Sequence, residues 1–416
     1  MKSFCLAIYL LFASFLCSSA RAQAKQNWPQ FRGPDRTDIS KETNLLQEWP
    51  EGGPKKLWHT DTVGIGYSGP AIVDDRLFIM GAQEKKEFLY AINANSGEKI
   101  WETEIGTLLT NNWGNGPRGT PTVNGQLVYA LSGQGNLVSA QASDGKVAWT
   151  KSMKDLGGNI PRWGYTESVL VDGDQVVCTP GGNQGALAAL NKYTGEIVWQ
   201  SEEFTDGAQY ASVITANING NRQYIQLTMK TVVGIRAKDG KLLWKTKWPG
   251  RTAVVPTPIF SGGKIFVSSG YSVGCKLLEI GKNNGVTLVY DNNNMTNHHG
   301  GVLLLDGNLY GYSDSGGWTC MDFETGEVRW KERRSLGKGA LTYADGRLYC
   351  LSERNGDVVL AAASSNAWKE HGRFTLEPQT KLRKPSGRIW THPVVVSGKL
   401  YLRDQELLFC YDVRVN

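Results

Sequence analysis

Short apolar runs separated by turn sequences repeat along the chain from about residue 55 to its end. Many of the turns pair a small polar residue with glycine. A charged residue and a strand ending in Trp then follow, as in AINANSGEKIWE at 91–102 and ALNKYTGEIVWQ at 189–200. Glycine suits such turns because it adopts a positive φ at no steric cost. No stretch shows sustained helical periodicity, so the pattern predicts an all-β protein.

The aromatic residue that ends these strands recurs about every 44 residues, which is the spacing of propeller blades. Tyr290 fills the widest gap in the series. A large ring repeated at one position predicts packing between neighbouring sheets. The series consists of Trp58, Trp101, Trp149, Trp199, Trp244, Trp330 and Trp368.

The hairpin signals count eight repeats, but the last repeat lacks a Trp strand. The segment PKKLWHT at 54–60 is a Trp strand with no repeat before it. Joining the two leaves no unpaired edge at the seam. We therefore predict a single eight-bladed β-propeller of four-stranded antiparallel blades over residues 54–416. An N-terminal strand closes it by joining the C-terminal blade, with 57–60 pairing near 408–411.

The first residues are typical of a signal peptide. Lys2 is followed by an apolar stretch and by the small residues of Ala20-Arg21-Ala22. We predict a signal peptide at 1–22 and an N-terminal extension at 23–53 that packs on the propeller. The protein is then exported, to the periplasm or beyond. Cys17 does not fit a lipidation motif, because bulky Leu16 precedes it.

Composition narrows the classes of partner. The net charge of +6 comes from scattered residues rather than a basic block, so we expect no nucleic-acid partner. No apolar run in the predicted mature chain reaches the roughly 20 residues of a membrane helix, so we expect no transmembrane span. We also expect the protein to be a monomer. Five cysteines remain after the predicted signal, with no C-x-x-C pair. They fit buried small hydrophobic residues, although one disulfide stays open in an exported protein.

The repeated TG-E/K-x-x-W motif resembles the pyrroloquinoline-quinone-type propeller repeat. That resemblance covers roughly residues 55–416 and implies one of two roles. Quinoprotein alcohol dehydrogenases hold the quinone and a calcium ion at the propeller centre. Quinone-free scaffolds, such as the lipoprotein of the outer-membrane β-barrel assembly machinery, share the repeat but do not hold the quinone. The segment NWPQFRGPDRTDIS at 27–40 also looks like the opening of exported propellers from planctomycete-type bacteria. The adjacent-cysteine pair of the dehydrogenases does not occur in this sequence.

Polar and aromatic residues cluster at the predicted start of each innermost strand, where the blades converge. We predict that they line one central depression and form the ligand-binding site. Arg118 and Lys338 favour an anionic ligand, unless they pair with Glu167 across the channel. His299 is either a site residue, a structural hydrogen-bonding residue or a metal ligand. The predicted set is Arg118, Tyr165, Glu167, Tyr210, His299, Lys338, Trp390 and His392.

Two functions follow from these patterns. The first is a scaffold that binds a small molecule or a protein through its central face. The alternative is a pyrroloquinoline-quinone-dependent alcohol or polyol dehydrogenase with calcium. No catalytic residue and no metal site is assigned. The sequence GNGPRG at 114–119 matches a dinucleotide-binding pattern only literally, because a strand rather than a helix follows it.

Overall fold

The fold is built from eight antiparallel sheets of four strands each. A computed structural model describes residues 26–415; the predicted signal peptide lies outside this range. Consecutive strands pair within each sheet, as the hairpin signals require. The predicted all-β, eight-bladed propeller is confirmed.

Seven of the blades are formed by consecutive segments of the chain, and the eighth combines both ends of the described chain. Blade 1 comprises β2 (Ala71–Val73), β3 (Arg76–Gln83), β4 (Lys86–Asn93) and β5 (Lys99–Thr107), and blade 2 comprises β6 (Thr122–Asn124), β7 (Leu127–Leu131), β8 (Asn136–Gln141) and β9 (Val147–Ser152). Blade 3 comprises β10 (Leu170–Asp172), β11 (Gln175–Cys178), β12 (Ala188–Asn191) and β13 (Ile197–Gln200), and blade 4 comprises β14 (Ile214–Ile218), β15 (Asn221–Leu227), β16 (Thr231–Arg236) and β17 (Leu242–Lys247). Blade 5 comprises β18 (Ile259–Ser261), β19 (Lys264–Ser269), β20 (Gly274–Ile280) and β21 (Val286–Asn292), and blade 6 comprises β22 (Val302–Leu305), β23 (Asn308–Ser313), β24 (Gly317–Asp322) and β25 (Val328–Glu332). Blade 7 comprises β26 (Gly339–Ala344), β27 (Arg347–Ser352), β28 (Asp357–Ala362) and β29 (Glu370–Thr375). Blade 8 comprises β30 (Val394–Val396), β31 (Lys399–Asp404), β32 (Leu407–Asp412) and β1 (Lys55–Thr60), and one 3-10 turn covers Met153–Leu156.

The seam of the propeller lies where it was predicted. Strand β1 pairs antiparallel with β32, and Trp58 lies opposite Cys410. Thr60 lies opposite Leu408 in the same ladder. The N-terminal strand therefore completes blade 8 and leaves no open edge between the first and last blades.

The repeated Trp joins most blades to the next one through a hydrogen bond. Its indole N–H donates to a carbonyl oxygen of the following blade at 2.8–3.3 Å in five blades. The hydroxyl of Tyr290 does the same, donating to Phe323 O at 3.1 Å. Trp244 instead donates within its own blade, to Gln223 Oε1 at 2.8 Å. The five inter-blade donors are Trp58, Trp101, Trp149, Trp199 and Trp330.

Blade 7 departs from the repeat, although Trp368 still packs between neighbouring blades, against the core shared by blades 6 and 7. Trp368 precedes β29 and packs back on blade 6, with its ring centroid 6.0 Å from that of Trp330. Blade 7 would have to place an outer Trp on the last turn of blade 8, but the seam interrupts that turn. Trp49 from the N-terminal segment packs there instead, 5.1 Å from the Phe374 ring.

The N-terminal segment crosses the propeller axis before it reaches β1. Trp28 forms a two-way backbone bridge with Ile72 of blade 1. Farther along, the amide of Tyr343 in blade 7 donates to Asp38 O at 2.8 Å. The segment also reaches two blades on opposite sides of the ring, because Pro29 O accepts the amide of Val123 in blade 2 and Arg32 donates to Val302 O in blade 6. We call residues 28–40 the plug. The plug closes the centre that the eight sheets leave open.

The hydrophobic core lies between neighbouring sheets. All five cysteines of the described chain are buried and free, so they act as small apolar residues. Within residues 26–415, no helix combines the length and the apolar character that a membrane crossing requires.

Candidate functional site

A cavity of about 380 Å³ lies at the centre of the propeller. In seven blades, the residue four positions before the innermost strand lines it. The connecting segments are extended, so every second residue points to the same side. We call these seven residues the upper ring: Tyr67, Arg118, Thr166, Tyr210, Val255, His298 and Trp390.

A second layer lies deeper in the cavity, two positions closer to each innermost strand. Its side chains are smaller and mostly hydroxyl-bearing. Some of these hydroxyls also join blades: Ser168 Oγ accepts the amide of Thr120 at 2.8 Å, and Ser212 Oγ accepts the amide of Ser168 at 2.9 Å. We call this layer the lower ring: Gly69, Thr120, Ser168, Ser212, Thr257 and His392.

The plug forms the floor beneath the lower ring, with Trp28, Phe31, Arg32 and Asp38 lining the cavity. Arg32 Nε lies 2.7 Å from Asp38 Oδ2, and both side chains are almost fully buried. The same carboxylate lies 3.2 Å from Nδ1 of His392. Asp38 is therefore held by two basic groups.

Arg36 anchors the plug to two other blades. Its guanidinium donates to Ser168 O at 2.9 Å, Val169 O at 2.6 Å and Val213 O at 2.9 Å. Complete burial lowers the pKa of Arg36 to about 9, so it remains a cation at neutral pH. The peptide carbonyls of blades 3 and 4 thus take the place of the water molecules that would otherwise hydrate the guanidinium group.

Aromatic rings dominate the upper ring and its rim. Tyr67 and Trp390 lie with their centroids 5.0 Å apart, and Trp163 lies 5.8 Å from Tyr210. Trp113 is 45% exposed at the rim and accepts the Tyr67 hydroxyl on its carbonyl oxygen at 3.0 Å. These aromatic rings give the cavity walls that are largely apolar.

Arg118 is the cation of the upper ring. Its guanidinium carbon lies 4.7 Å from the centroid of the Tyr67 ring, and it donates to Gly114 O at 2.7 Å. Across the described residues, no carboxylate lies within ion-pair distance of Arg118. Burial lowers the pKa of Arg118, against the opposing effect of nearby Tyr67 and Glu87. A desolvated cation without a carboxylate partner favours an anionic ligand.

Blades 5 and 6 supply a polar wall. His298 Nε2 lies 2.9 Å from the hydroxyl of Tyr271, and its Nδ1 lies 2.9 Å from Lys338 Nζ. Lys338 is also paired with Asp314 at 2.7 Å. Burial, followed by the charges of His299 and Lys338, lowers the pKa of His298 to about 2. His298 is therefore neutral at any physiological pH.

His299 faces blade 7 from the same wall. Its Nε2 lies 2.7 Å from Glu353 Oε2, which also accepts the indole N–H of Trp390 at 3.3 Å. Burial lowers the pKa of His299, although the bond to Glu353 opposes this. Burial acts to raise the pKa of Glu353, but its bonds and neighbouring charges leave it lowered. The pair is thus a neutral imidazole hydrogen-bonded to a carboxylate.

The structure brings five of the eight predicted site residues to the cavity and places three elsewhere. Tyr165 and Glu167 flank Thr166 in an extended segment, so their side chains point away from the cavity and into the space between sheets. Tyr165 donates to Pro180 O at 3.0 Å, and Glu167 Oε1 accepts the amide of Thr179. Lys338 stands behind His298 and does not line the cavity. The five residues at the cavity are Arg118, Tyr210, His299, Trp390 and His392.

The proposed pairing of Arg118 or Lys338 with Glu167 is also wrong. Lys338 pairs with Asp314, and Glu167 is buried beneath the lower ring, where the charge of Arg36 acts on it. Complete burial raises the pKa of Glu167 to about 7.

Comparison with known proteins identifies the family. A family described as outer membrane protein assembly factor BamB matches residues 85–332 and 287–407, which together span most of the chain. The chain belongs to the BamB family. BamB of Yersinia pestis is 24% identical over 372 residues, covering 85% of this chain and 77% of that protein.

Solved structures agree with this BamB-type fold. BamB from Moraxella catarrhalis superposes with a TM-score of 0.61 at 13% identity, covering 87% of this chain and 98% of that one. A quinohemoprotein alcohol dehydrogenase from Comamonas testosteroni superposes with a TM-score of 0.64 at 11% identity, covering 95% and 82%. At these identities the likeness establishes the propeller fold alone.

The residues of this BamB-family cavity do not fit a calcium-bound quinone. Calcium needs several oxygen ligands, usually including free carboxylates. The nearby carboxylates are already engaged: Asp38 by Arg32 and His392, and Glu353 by His299 and Trp390. Across residues 26–415, no group of three or more His, Cys, Asp and Glu side chains is placed to hold a metal ion.

Several lining residues escaped the sequence analysis. The floor residues Phe31 and Asp38 come from the plug, which carries no repeat signal. Tyr271 comes from the β19–β20 turn rather than from a segment before an innermost strand. Thr166 could have been found, because it shares the fourth position before the strand with Tyr67 and Tyr210.

Proposed function

We propose that this BamB-family protein is an exported binding scaffold that holds a small organic ligand in its central cavity. The observation that carries the proposal is the convergence of aromatic rings from several blades on one cavity closed by the plug. A concave site with mostly apolar walls and a few polar groups is the usual form of a ligand pocket.

The shape of the cavity favours a ring-shaped ligand over a folded protein domain. Tyr67, Trp390, Trp163 and Tyr210 form two pairs of rings, each with centroids 5.0–5.8 Å apart. A ring inserted among them removes apolar surface on both partners from water. Because Asp38, Arg32 and Arg36 fix the floor, the site is largely formed before the ligand arrives, and binding costs little reorganisation.

A titration with a neutral dye tests this proposal. We would use the mature chain and 6-propionyl-2-dimethylaminonaphthalene, whose emission shifts to the blue in apolar surroundings. We expect saturable binding with a Kd of about 1–100 µM, as for a ligand of this size. Val255 is half-buried at the cavity wall, so Val255→Trp should fill the space and abolish the shift.

The matched control is Val289→Trp on outer strand β21, where the valine is 40% exposed. It should bind the dye like the parent. Circular dichroism and the unfolding midpoint must show that both variants fold. Equal dye binding by the parent and Val255→Trp would overturn the proposal.

A second candidate function is a role in outer-membrane protein assembly. It is favoured by the family match over residues 85–407, since the relatives are named outer membrane protein assembly factors. The test is deletion of the gene in its own host, followed by quantification of outer-membrane proteins. If the levels of outer-membrane proteins fall and expression of the Val255→Trp variant does not restore them, the cavity takes part in that role. Unchanged levels would refute this second function.

Export is part of the proposal. It rests on the apolar stretch and the small residues before Ala22 and Ala24, together with the name of the relatives. N-terminal sequencing of the protein from the cell envelope should begin at Gln23 or Lys25. Recovery of the intact chain in the cytosol would contradict export.

A further inference from the structure

We propose that the ligand of the central cavity is a saccharide that carries a carboxylate. This inference rests on the proposed function and adds the chemical class of the ligand. Three features of the cavity support it independently: a cation without a carboxylate partner, a phenol fixed as a hydrogen-bond donor, and a ring of hydroxyl groups beneath aromatic faces.

The first feature is the position of Arg118. Its guanidinium stacks on Tyr67 at 4.7 Å and, among residues 26–415, forms a hydrogen bond with the carbonyl of Gly114 alone. The carboxylates near the cavity are held elsewhere, Asp38 by Arg32 and Glu353 by His299. Arg118 therefore has N–H groups and charge available for an anionic ligand.

The second feature is Tyr271, whose role as a donor follows from its neighbours. Lys338 Nζ lies 2.9 Å from His298 Nδ1. An ammonium group can only donate, so His298 Nδ1 must accept, and the proton of the neutral imidazole lies on Nε2. Nε2 then donates to the Tyr271 oxygen, 2.9 Å away. The hydroxyl proton of Tyr271 is left to donate into the cavity, to an ether or hydroxyl oxygen of the ligand.

The backbone at Tyr271 supports a functional role for this ring. Tyr271 and Ser272 adopt φ values of 58° and 62° in the β19–β20 turn. Such turns normally use Asn and Gly, because other side chains are strained at positive φ. A strained residue whose ring reaches a cavity is typical of a binding site. A more favourable turn sequence would remove the ring from the cavity.

The third feature is the layering of the two rings. A pyranose presents C–H faces, which pack on aromatic rings, and hydroxyl groups, which need both donors and acceptors. The upper ring supplies the aromatic faces. The lower ring supplies Thr120, Ser168, Ser212 and Thr257, and the Thr257 hydroxyl is buried with no partner in the described chain. A flat aromatic acid would use the rings but leave the Thr257 hydroxyl without a partner.

Calorimetric titration with matched sugars tests the inference. The probes are the trimers of galacturonate, mannuronate and glucuronate, each beside its neutral methyl ester. We expect at least one acid trimer to bind and its ester to bind roughly ten-fold more weakly, because the ester loses the charge-assisted bond. Arg118→Met should weaken the acid trimer to the level of its ester. Tyr271→Phe should weaken acid and ester alike, by about three-fold.

Two control variants separate these effects from general changes in charge or stability. Arg251→Met removes an exposed cation just before the cavity-lining residues 252 and 253, and Tyr193→Phe alters an exposed ring away from the cavity. Neither should change affinity. If the neutral dye binds in the cavity but no acid trimer does, the inference falls and the proposed function stands. If acid and ester bind equally, or Val255→Trp binds the trimer like the parent, the inference is also overturned.

Discussion

The close contact between a turn glycine and the Trp of the preceding blade can be isolated by two matched substitutions. Gly195 and Gly220 both adopt a φ of +73°. A Cβ at Gly195 would lie 2.7 Å from the ring of Trp149, whereas a Cβ at Gly220 meets nothing within 4 Å. Alanine at either site therefore carries the same backbone strain, and only Gly195→Ala adds a collision between blades.

The magnitudes follow from these distances. A left-handed alanine costs about 1–2 kcal/mol at either site. Ordinary carbon contacts are about 3.5–4.0 Å, so the Trp149 ring must move by about 1 Å to admit the new methyl group. Such overpacking costs roughly 1–3 kcal/mol. It also strains the bond from the indole N–H to Lys192 O, now 2.9 Å.

We expect Gly195→Ala to lose about 1–3 kcal/mol more of the free energy of unfolding than Gly220→Ala. Urea unfolding followed by circular dichroism measures both. In a Trp149→Ala background the difference should disappear, because the obstructing ring is gone. Equal losses from the two glycine substitutions in the parent would refute the inter-blade contact as the reason for the glycine.

Three further outcomes test the buried charges and the seam. Because the pKa of Glu167 is raised from 4.5 to about 7, the folded protein binds this proton more tightly than the unfolded chain does. Its contribution to stability therefore falls as the pH rises from about 4.5 to 7. Relative to the parent, the free energy of unfolding of Glu167→Gln should rise by on the order of 3 kcal/mol across that range, measured by urea unfolding at each pH. The same pH dependence of the unfolding free energy in both proteins would contradict this. Arg36→Met leaves three buried carbonyls without their donor and should cost at least about 3 kcal/mol by calorimetry, since each unsatisfied buried acceptor costs about 1–3 kcal/mol, whereas an unchanged midpoint would show that the plug does not tie blades 3 and 4. Deleting residues 54–60 removes the partner of β32 and should lower the thermal midpoint by several degrees or more; a midpoint equal to that of the parent would argue against closure by β1.

Closure of the propeller was predictable because it depends on counting. A Trp strand without a repeat at 54–60 and a final repeat without a Trp strand fit together. The same count could not show what happens at the 7–8 interface. There the interrupted turn of blade 8 removes the surface on which an outer Trp packs, and Trp49 takes its place. Trp368 fits the spacing but packs on blade 6.

The site was predicted only partly, for two physical reasons. Adjacent residues of an extended segment point in opposite directions, so an error of one position selected Tyr165 and Glu167 instead of Thr166. The plug has no repeat pattern, and its contacts join residues far apart in sequence, such as Arg32 with Val302. Nothing local in residues 28–40 indicates which blades they contact.

The titratable groups of the cavity change the expected pH dependence. A histidine with an ordinary pKa near 6.5 that contacted the ligand would make binding change between about pH 5 and 8. Burial lowers the pKa of His299 and brings that of His298 to about 2. Because His298 stays neutral and the pKa of His299 lies below its usual value, we expect ligand affinity to change less between pH 8 and 6.5 than ordinary imidazoles in contact with the ligand would cause.

The central claim is that the ligand lies inside the propeller, and a crystal structure with bound dye tests it most directly. Crystals of the mature chain would be grown with saturating 6-propionyl-2-dimethylaminonaphthalene. We predict electron density for the naphthalene among the rings of Tyr67, Trp163 and Trp390, above the plug. Dye bound on an outer strand, with only water inside the cavity, would contradict the account.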